Sequence, residues 1–302
     1  MIPKAKALNL IAIYLYICKL HNKELKYMTQ RYTNNDKPEF TDQEMMTVYL
    51  FCVQQEQRFR VSQIYAFADQ YLRSWFPALP SYQAFNNRLN RLSEAFKAIA
   101  AHSFTAFLPL ECDTDVSLLD SMPIITCSGK RGAKVALEIT DKGYCSTKSL
   151  YYYGLKLHAL AFRRSKRLPF PEQVVITPAS ENDLNVFRQD WGSIPNRTFF
   201  GDKIYHDAPF FENLALNANS NILTPVKGVK GQSEVIKQRD KAANDLFSTA
   251  VSTVRQPIES LFNWLIEKTD IQRASKVRST KGLLVHVFGK IAAAFIFLIF
   301  NS

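Results

Sequence analysis

The spacing of apolar residues divides the chain into a helical first part and a second part in which strands alternate with helices. Apolar residues recur at helical spacing in residues 7–18 and again between residues 45 and 108. From about residue 114, apolar runs of strand length separated by polar segments take over. We therefore predict an all-α region over residues 1–110 and an α/β domain over residues 111–302.

The helices of the first part carry recognisable start signals. Residues 41–44 form a capping-box sequence, Val61 opens a second helix, and Ser81 caps a third after a proline-containing break. The polar positions of this third helix are Gln83, Asn86, Asn87, Arg88, Asn90 and Arg91. Because amides and arginine read base edges in the DNA major groove, the region is predicted to be helix-turn-helix-like. The candidate DNA contacts are Gln83, Asn87, Arg88 and Arg91. An ordinary solvated helix face is the alternative interpretation.

The second part predicts the element order strand, hairpin, helix, strand, helix, strand, helix. These elements lie at residues 116–119, 150–177, 182–189, 198–200, 208–216, 221–224 and 249–267. Residues 121–149 show no clear periodicity and are predicted to form a long basic loop. The order is typical of a sheet flanked by helices.

Carboxylates stand at three places in this pattern. Asp120 follows the strand at residues 116–119, and Asp202 follows the strand at residues 198–200. Ligands of open α/β sheets bind beyond the carboxyl ends of adjacent strands. Glu259 lies in a helical stretch that can pack across the same edge. The sequence therefore predicts one pocket for all three carboxylates.

Charge and cysteine content narrow the class of partner and the compartment. The 302 residues include 38 Lys and Arg against 27 Asp and Glu, a formal net charge of +11. This excess favours a polyanion, either nucleic acid or an anionic membrane. The five cysteines are odd in number and irregularly spaced, which argues against a disulfide framework or a zinc site. Free thiols fit a reducing cytoplasm.

Two apolar stretches could be mistaken for membrane signals. No small-residue cleavage site follows residues 7–18, and His286 and Lys290 interrupt residues 283–300. The uninterrupted run in the second stretch is too short to span a bilayer. Both stretches are therefore predicted to be buried helices, and no membrane partner is expected.

Three converging carboxylates suit magnesium, which prefers oxygen ligands and keeps positions open for water and phosphate. Two such ions roughly 4 Å apart can serve the attacking and the leaving oxygen of a phosphodiester. By pattern alone, an aspartate at a strand end is more often a turn or cap residue, so this site stays one of two interpretations.

Four short motifs resemble those of bacterial insertion-sequence transposases of the DDE type. Residues 119–123 (LDSMP) resemble the first-aspartate motif, and residues 143–148 with 152–158 resemble the strand before the second aspartate. Residues 201–205 (GDKIY) and 255–265 (RQPIESLFNWL) resemble the second-aspartate motif and the glutamate helix. The resemblance runs from about residue 115 to the C-terminus and points most closely to the group of insertion sequence 982.

This resemblance implies a ribonuclease H-like mixed sheet in which Asp120, Asp202 and Glu259 bind two Mg²⁺ or Mn²⁺ ions. It also implies cleavage of phosphodiester bonds at the ends of the element and joining of the freed 3′-hydroxyl to target DNA. The expected partners are double-stranded DNA, as terminal inverted repeats and as target, and further copies of the chain, as a homodimer or larger assembly. The expected location is the bacterial cytoplasm at the nucleoid.

Basic residues near the motifs are candidate DNA contacts. Relatives place a Lys or Arg six or seven residues after the glutamate, where this chain has Leu265 and Ile266. Lys268 or Arg273 would have to serve instead. The further candidates are Lys156, His158, Lys203 and Arg255.

Three other functions stay open at this stage. The first is a DNA-binding regulator that uses the catalytic fold only as a scaffold, and the second is a metal-dependent nuclease without strand transfer. The third is a membrane-associated protein built on the apolar ends of the chain. An intact acidic trio argues against the regulator, because a site without catalysis has no need of it.

Overall fold

The computed structural model describes residues 2–31, 38–130, 132–146, 148–228 and 232–300. Arg131, which belongs to the predicted basic loop, and Thr147, which belongs to the motif at residues 143–148, lie outside these ranges. The chain forms two compact units. The helical unit comprises Met1–Phe107, Ala133–Glu138 and Leu265–Ser302, and the sheet unit comprises Leu108–Gly132 and Ile139–Trp264.

The α-helices, in chain order, are α1 (Lys4–Lys23), α2 (Asp42–Glu56), α3 (Val61–Phe67), α4 (Tyr82–Leu89), α5 (Ser93–Ala106), α6 (Asp183–Val186), α7 (Ala208–Ala218), α8 (Glu234–Arg255), α9 (Pro257–Thr269) and α10 (Thr280–Phe300). The strands are β1 (Cys112–Ser128), β2 (Asp141–Cys145), β3 (Leu150–Arg164), β4 (Phe170–Pro178), β5 (Thr198–Phe200) and β6 (Asn221–Leu223). The combination is a mixed α/β architecture, in agreement with the predicted class.

Helix starts in the helical unit follow the predicted signals. The Thr41 hydroxyl accepts the Glu44 N–H at 3.2 Å, and the Glu44 carboxylate accepts the Thr41 N–H at 2.5 Å. This reciprocal pair is the predicted capping box at the start of α2. The Ser81 hydroxyl likewise accepts the Ala84 N–H at the start of α4. The three predicted helices of this region are confirmed.

The C-terminal helix α10 lies in the core of the helical unit, where it packs against α5 and α2. Phe295 of α10 meets Phe104 of α5 edge to face, with ring centroids 5.0 Å apart. In the described ranges, one helix, Thr280–Leu298, is long and apolar enough by length and composition to cross a membrane. Because 72% of that segment is buried inside the protein, the finding fits the predicted core helix.

The sheet unit is built on six strands in which β1 is central. β1 pairs antiparallel with β3 and parallel with β5, and β5 pairs parallel with β6. On the far side of β3, β2 covers its first part and β4 its second part, both antiparallel. Helices α6 and α7 cover a core centred on Phe187, Trp191 and Phe199. The predicted hairpin at residues 150–177 is confirmed.

The predicted loop at residues 121–149 is wrong over much of its length. β1 continues to Ser128, and β2 occupies Asp141–Cys145. Residues 121–128 pair with β3, and Met122 and Ile124 face the core in strand alternation. Pro123 weakened the strand signal in the sequence, yet it is tolerated because β5 pairs with β1 only over Val116–Leu118.

The single helix predicted over residues 249–267 is two helices. α8 begins much earlier, where the Ser233 hydroxyl accepts the Ile236 N–H at 3.5 Å. It ends at Arg255, and α9 begins at Pro257. Proline has no N–H to donate and suits the first helical position, which explains the break.

Residues 265–302 belong to the helical unit by their contacts, although the sequence pattern groups them with residues 111–264. Their apolar helix α10 is buried there by α2 and α5. The functions expected for residues 1–110 and 111–302 stay predictions.

Candidate active site

Asp120 lies inside β1, which pairs antiparallel with β3 on both sides of this residue. The prediction that Asp120 stands at the end of a strand is therefore wrong. The parallel pairing of β1 with β5 nevertheless stops at Leu118, which is opposite Phe200. Asp120 and Asp202 each stand two residues beyond that last pair. Since parallel strands run in register, the two aspartates follow the same edge of the sheet, where ligands of α/β sheets bind.

The backbone at Asp202 is held by a tight turn. The Asp202 carboxylate accepts the Lys203 N–H at 2.6 Å and caps the short helical turn Lys203–Tyr205. A Cβ added at Gly201 would lie 2.8 Å from Tyr205 Cδ2, so the buried tyrosine ring requires glycine there. The Asp202 side chain itself is exposed. The turn therefore fixes the backbone while leaving the carboxylate accessible.

Arg255 joins the other two carboxylates. Its Nη1 donates to Asp120 Oδ2 at 2.8 Å, and its Nη2 donates to Glu259 Oε1 at 2.5 Å. Arg255 ends α8 and Glu259 lies in the first turn of α9, so the two are one helical turn apart. α8 packs against β1 and β5, which brings the guanidinium to the sheet edge. The structure thus brings Asp120 and Glu259 together through a shared cation.

Burial and neighbouring charges shift the pKa values of Asp120 and Arg255. Burial raises the pKa of Asp120 to about 6, against the lowering effect of Arg255, and the charges of Glu259 and Asp183 raise it further. Burial alone would lower the pKa of Arg255, but Asp120 and Glu259 raise it above its ordinary value. Arg255 therefore stays charged, and the carboxylates hold more negative charge than one guanidinium neutralises.

Asp183 is a fourth carboxylate that the sequence analysis missed. Its Oδ1 lies 3.2 Å from Lys156 Nζ and 3.2 Å from His158 Nδ1. Burial raises its pKa, but His158 and Lys156 lower it below the ordinary value overall. The sequence signal that could have indicated Asp183 is Asn182, a residue type that often caps helices. Its side chain caps α6 by accepting the Leu184 N–H at 2.9 Å, which places Asp183 in the first turn of α6.

Lys156 and His158 share one face of β3, as the alternation predicts. His158 is completely buried, and its Nε2 is 2.8 Å from Thr177 Oγ1. Lys156 donates to the Glu181 carbonyl at 2.6 Å. Both side chains are therefore committed to partners within the sheet unit.

Tyr205 is a second residue that the sequence analysis missed. It is buried, and among the described residues its hydroxyl has no hydrogen-bond partner. Burial and the charges of Asp183, Asp120 and Asp202 raise its pKa well above the ordinary value. The phenol stays protonated, and its O–H is a buried donor whose pKa the nearby carboxylates influence.

The remaining candidates differ in how available their side chains are. The exposed residues are Gln83, Asn87, Arg91, Lys203 and Arg273. Arg273 lies 3.9 Å from Asp270, and Lys268 lies 3.3 Å from Glu267. Arg88 is largely buried, with donors to Asp42 at 2.8 and 2.9 Å and a further bond to the Phe40 carbonyl. Its guanidinium connects α4 to the start of α2, so its donors are already used within the protein.

The carboxylate oxygens of Asp120, Asp202 and Glu259 are chemically suited to a hard divalent cation, because Mg²⁺ and Mn²⁺ prefer such oxygen ligands. In the described ranges, no group of three or more His, Cys, Asp or Glu side chains is arranged to hold a metal. Two of the three predicted metal ligands, Asp120 and Glu259, form salt bridges with Arg255. The excess negative charge of the cluster favours the binding of a further cation.

Two aspartates beyond the last parallel β1–β5 pair, on a mixed α/β sheet of a basic chain, fit the class of enzymes that act on nucleic acid. Comparison with protein families identifies the Transposase DDE domain over residues 111–296. This match covers more than half of the chain, and the protein belongs to that family. The comparisons with curated proteins and with solved structures return no match. The chain is thus a transposase whose family acts on DNA and generally uses divalent metals.

Proposed function

We propose that this transposase, with a ribonuclease H-like sheet of the insertion sequence 982 group, cleaves the ends of its element and joins them to target DNA. The observation that carries the proposal is the alignment of Asp120 and Asp202 beyond the last β1–β5 pair, with Glu259 tied to Asp120 through Arg255. The basic composition supports it, because DNA is a polyanion.

Two Mg²⁺ or Mn²⁺ ions, held by Asp120, Asp202 and Glu259, would supply activation of the nucleophile and neutralisation of the leaving oxygen. In the first reaction, water replaces the bridging oxygen of a phosphodiester at the element end and leaves a 3′-hydroxyl. In the second reaction, that hydroxyl replaces a bridging oxygen in target DNA. Each reaction breaks one P–O bond and forms another, so no outside energy source is needed.

The neighbouring residues have separate tasks. Arg255 presents a planar guanidinium whose two donors can pass from carboxylates to a DNA phosphate. Lys203, exposed beside Asp202, is a second phosphate contact. Lys156 holds Asp183 by charge and His158 contacts the same carboxylate, so both act through Asp183, because both already have partners in the sheet unit.

The helical unit would supply helix-turn-helix-like binding to the terminal repeats. Its exposed contacts are Gln83, Asn87, Arg91 and Arg273, with Lys268 on α9. Pairing two element ends requires at least a homodimer on DNA. The place of action is the bacterial cytoplasm at the nucleoid.

The test uses the full chain, DNA bearing the terminal repeats, a target plasmid and Mg²⁺ or Mn²⁺. We expect Asp120→Asn, Asp202→Asn and Glu259→Gln each to lower end cleavage by at least about 10³-fold, as happens when one member of a catalytic unit is lost. DNA binding should stay close to that of the parent. Glu267→Gln, an equal charge change at an exposed position of α9, is the matched control and should cleave normally.

Normal cleavage by Asp120→Asn would refute the site. Cleaved ends without joined donor–target products would identify a nuclease, and DNA binding without any cleavage by the parent would identify a regulator.

A further inference from the structure

The helical unit contains a pocket of about 380 Å³ that the proposed chemistry does not use. Its walls come from the start of α3, the polar side of α4, residues 270–279 and the start of α10. Sites for small molecules have volumes of about 300–1,000 Å³, so the pocket has room for a compact ligand.

The lining of this pocket is predominantly cationic. The basic residues are Arg60, Arg273, Lys276 and Arg278, and the one carboxylate among the lining residues is Asp270, 3.9 Å from Arg273. His286 adds no charge, because burial lowers its pKa to about 3. A pocket with this balance selects an anion, and phosphate is an anion that both arginine and lysine bind well.

Four polar side chains of the pocket are unused within the protein. Arg60, Lys276, Asn86 and Asn90 make no side-chain hydrogen bond or ion pair in the part of the chain that the structure describes. Asn86 and Asn90 are partly buried and stand one helical turn apart. A side-chain amide carries both donors and an acceptor, and partly buried amides normally have partners. These two are therefore available to a ligand that offers both kinds of group.

Aromatic surface completes the pocket. Tyr82 is 44% exposed there, and Phe59 and Tyr49 also line it. Nucleobases stack on such rings and pair their edges with Asn side chains. An acidic peptide would use the cations and could pair its backbone with the amides, but its acidic side chains offer no planar ring to the tyrosine face. The combination of cations, amides and rings therefore favours a nucleotide.

We propose that this pocket binds a single nucleotide. Arg60 and Lys276 take the phosphate, and Asn86, Asn90 and Tyr82 take the base. The nucleotide can be free, or it can belong to a DNA strand and be turned out of the base stack, as enzymes that act on DNA commonly do. The second source rests on the proposed function, whereas the first does not.

Isothermal titration of the full chain tests the pocket with three probes: deoxyadenosine 5′-monophosphate, deoxyribose 5-phosphate and inorganic phosphate. We expect the nucleotide to bind at least about tenfold more tightly than either of the others, because only it reaches the amides and the ring. Asn86→Leu should weaken the nucleotide alone by about tenfold. Arg60→Gln should weaken all three probes.

Lys281→Gln is the matched control, since Lys281 is an exposed cation of α10 that does not line the pocket. It should bind all probes like the parent. Equal affinities for nucleotide and inorganic phosphate, or equal losses in Lys281→Gln and Arg60→Gln, would overturn the proposal. A third result would also overturn it: the mononucleotide does not bind, and Asn86→Leu does not change the affinity for a ten-residue single-stranded DNA.

The two sources are separated by competition. If that oligonucleotide displaces the mononucleotide and is itself weakened by Asn86→Leu, the ligand is part of a DNA strand. If it does not displace the mononucleotide, the ligand is free. Asp120→Asn should bind the nucleotide normally, so a failure of cleavage and a failure of the pocket give different results.

Discussion

Lys290 is an ionisable residue whose amine lies in the buried core of the helical unit. It lies on α10 with 1% of its surface exposed. Its amine donates to the Asp270 carbonyl at 3.1 Å and lies 5.6 Å from the centroid of the Phe59 ring. Burial lowers the pKa of Lys290 from 10.5 to about 7, although Asp270 opposes the shift. The folded chain therefore releases a proton that the unfolded chain keeps.

This difference predicts how stability depends on pH. Between pH 7 and pH 10.5, the unfolded state binds more protons at Lys290 than the folded state, so the free energy of unfolding rises with pH. From pH 7 to pH 9 the rise is on the order of 2 kcal/mol. Urea unfolding of Lys290→Met should show higher stability at pH 7 and lose this rise. Lys281→Met, exposed on the same helix, should keep it; an undiminished rise in Lys290→Met would contradict the assignment.

The candidate site was predictable from sequence for three of its four carboxylates and for Arg255. Asp120, Asp202 and Glu259 stand out because each follows or occupies an apolar element. Asp183 and Tyr205 do not, because their significance comes from contacts between segments far apart in the chain. Asn182 indicates a helix start beside Asp183, but local periodicity does not show which distant residues an acid contacts.

At the scale of elements, the approach of α10 to α2 depends on one glycine. A Cβ added at Gly289 would lie 2.6 Å from Tyr49 Cε1, closer than atoms can pack. Tyr49 is itself buried, and its ring packs on Phe96 with centroids 4.9 Å apart. The tyrosine ring therefore fills the space that a side chain at position 289 would need.

Gly289→Ala is expected to destabilise the protein by about 1–3 kcal/mol, because overpacking outweighs the roughly 1 kcal/mol gain in helix propensity. The measurement is the midpoint of urea unfolding. Lys281→Ala, also in α10 but exposed, should change stability little. A more stable Gly289→Ala protein would show that Tyr49 moves aside without cost.

Element boundaries were harder to predict than element types. The hairpin β3–β4 and the strands β5 and β6 are found where the apolar pattern indicated. β1 is far longer than predicted, because its second half is stabilised by pairing with β3 and not by its own composition. The start of α8 was missed for a related reason: its residues are polar, and Val251 is its one buried residue within the described ranges.

At the scale of the molecule, the first and last segments of the chain form one core. Removal of residues 1–110 would leave α10 without α2 and α5, and its buried residues Leu283, Val287 and Ile291 would face water. We expect the fragment 111–302 to aggregate, because a continuous apolar face of this kind drives association. Gel filtration should place it in the void volume.

The comparison fragment is 111–264, which lacks α10 and should aggregate less. A monodisperse fragment 111–302 would contradict the prediction. The outcome also bears on experimental design, since loss of DNA binding on removal of the N-terminal region would reflect a broken core and not only lost contacts.

The guanidinium shared by Asp120 and Glu259 has a consequence for the binding of DNA and metal. One positive charge holds two negative ones, so the three groups form a closed internal salt. In the proposed reaction, a DNA phosphate that captures Arg255 would open this salt and leave both carboxylates without their internal cation. DNA binding would then raise the affinity for metal, and metal binding would raise the affinity for DNA. Such a site would be an AND gate, because cutting would require DNA and metal together.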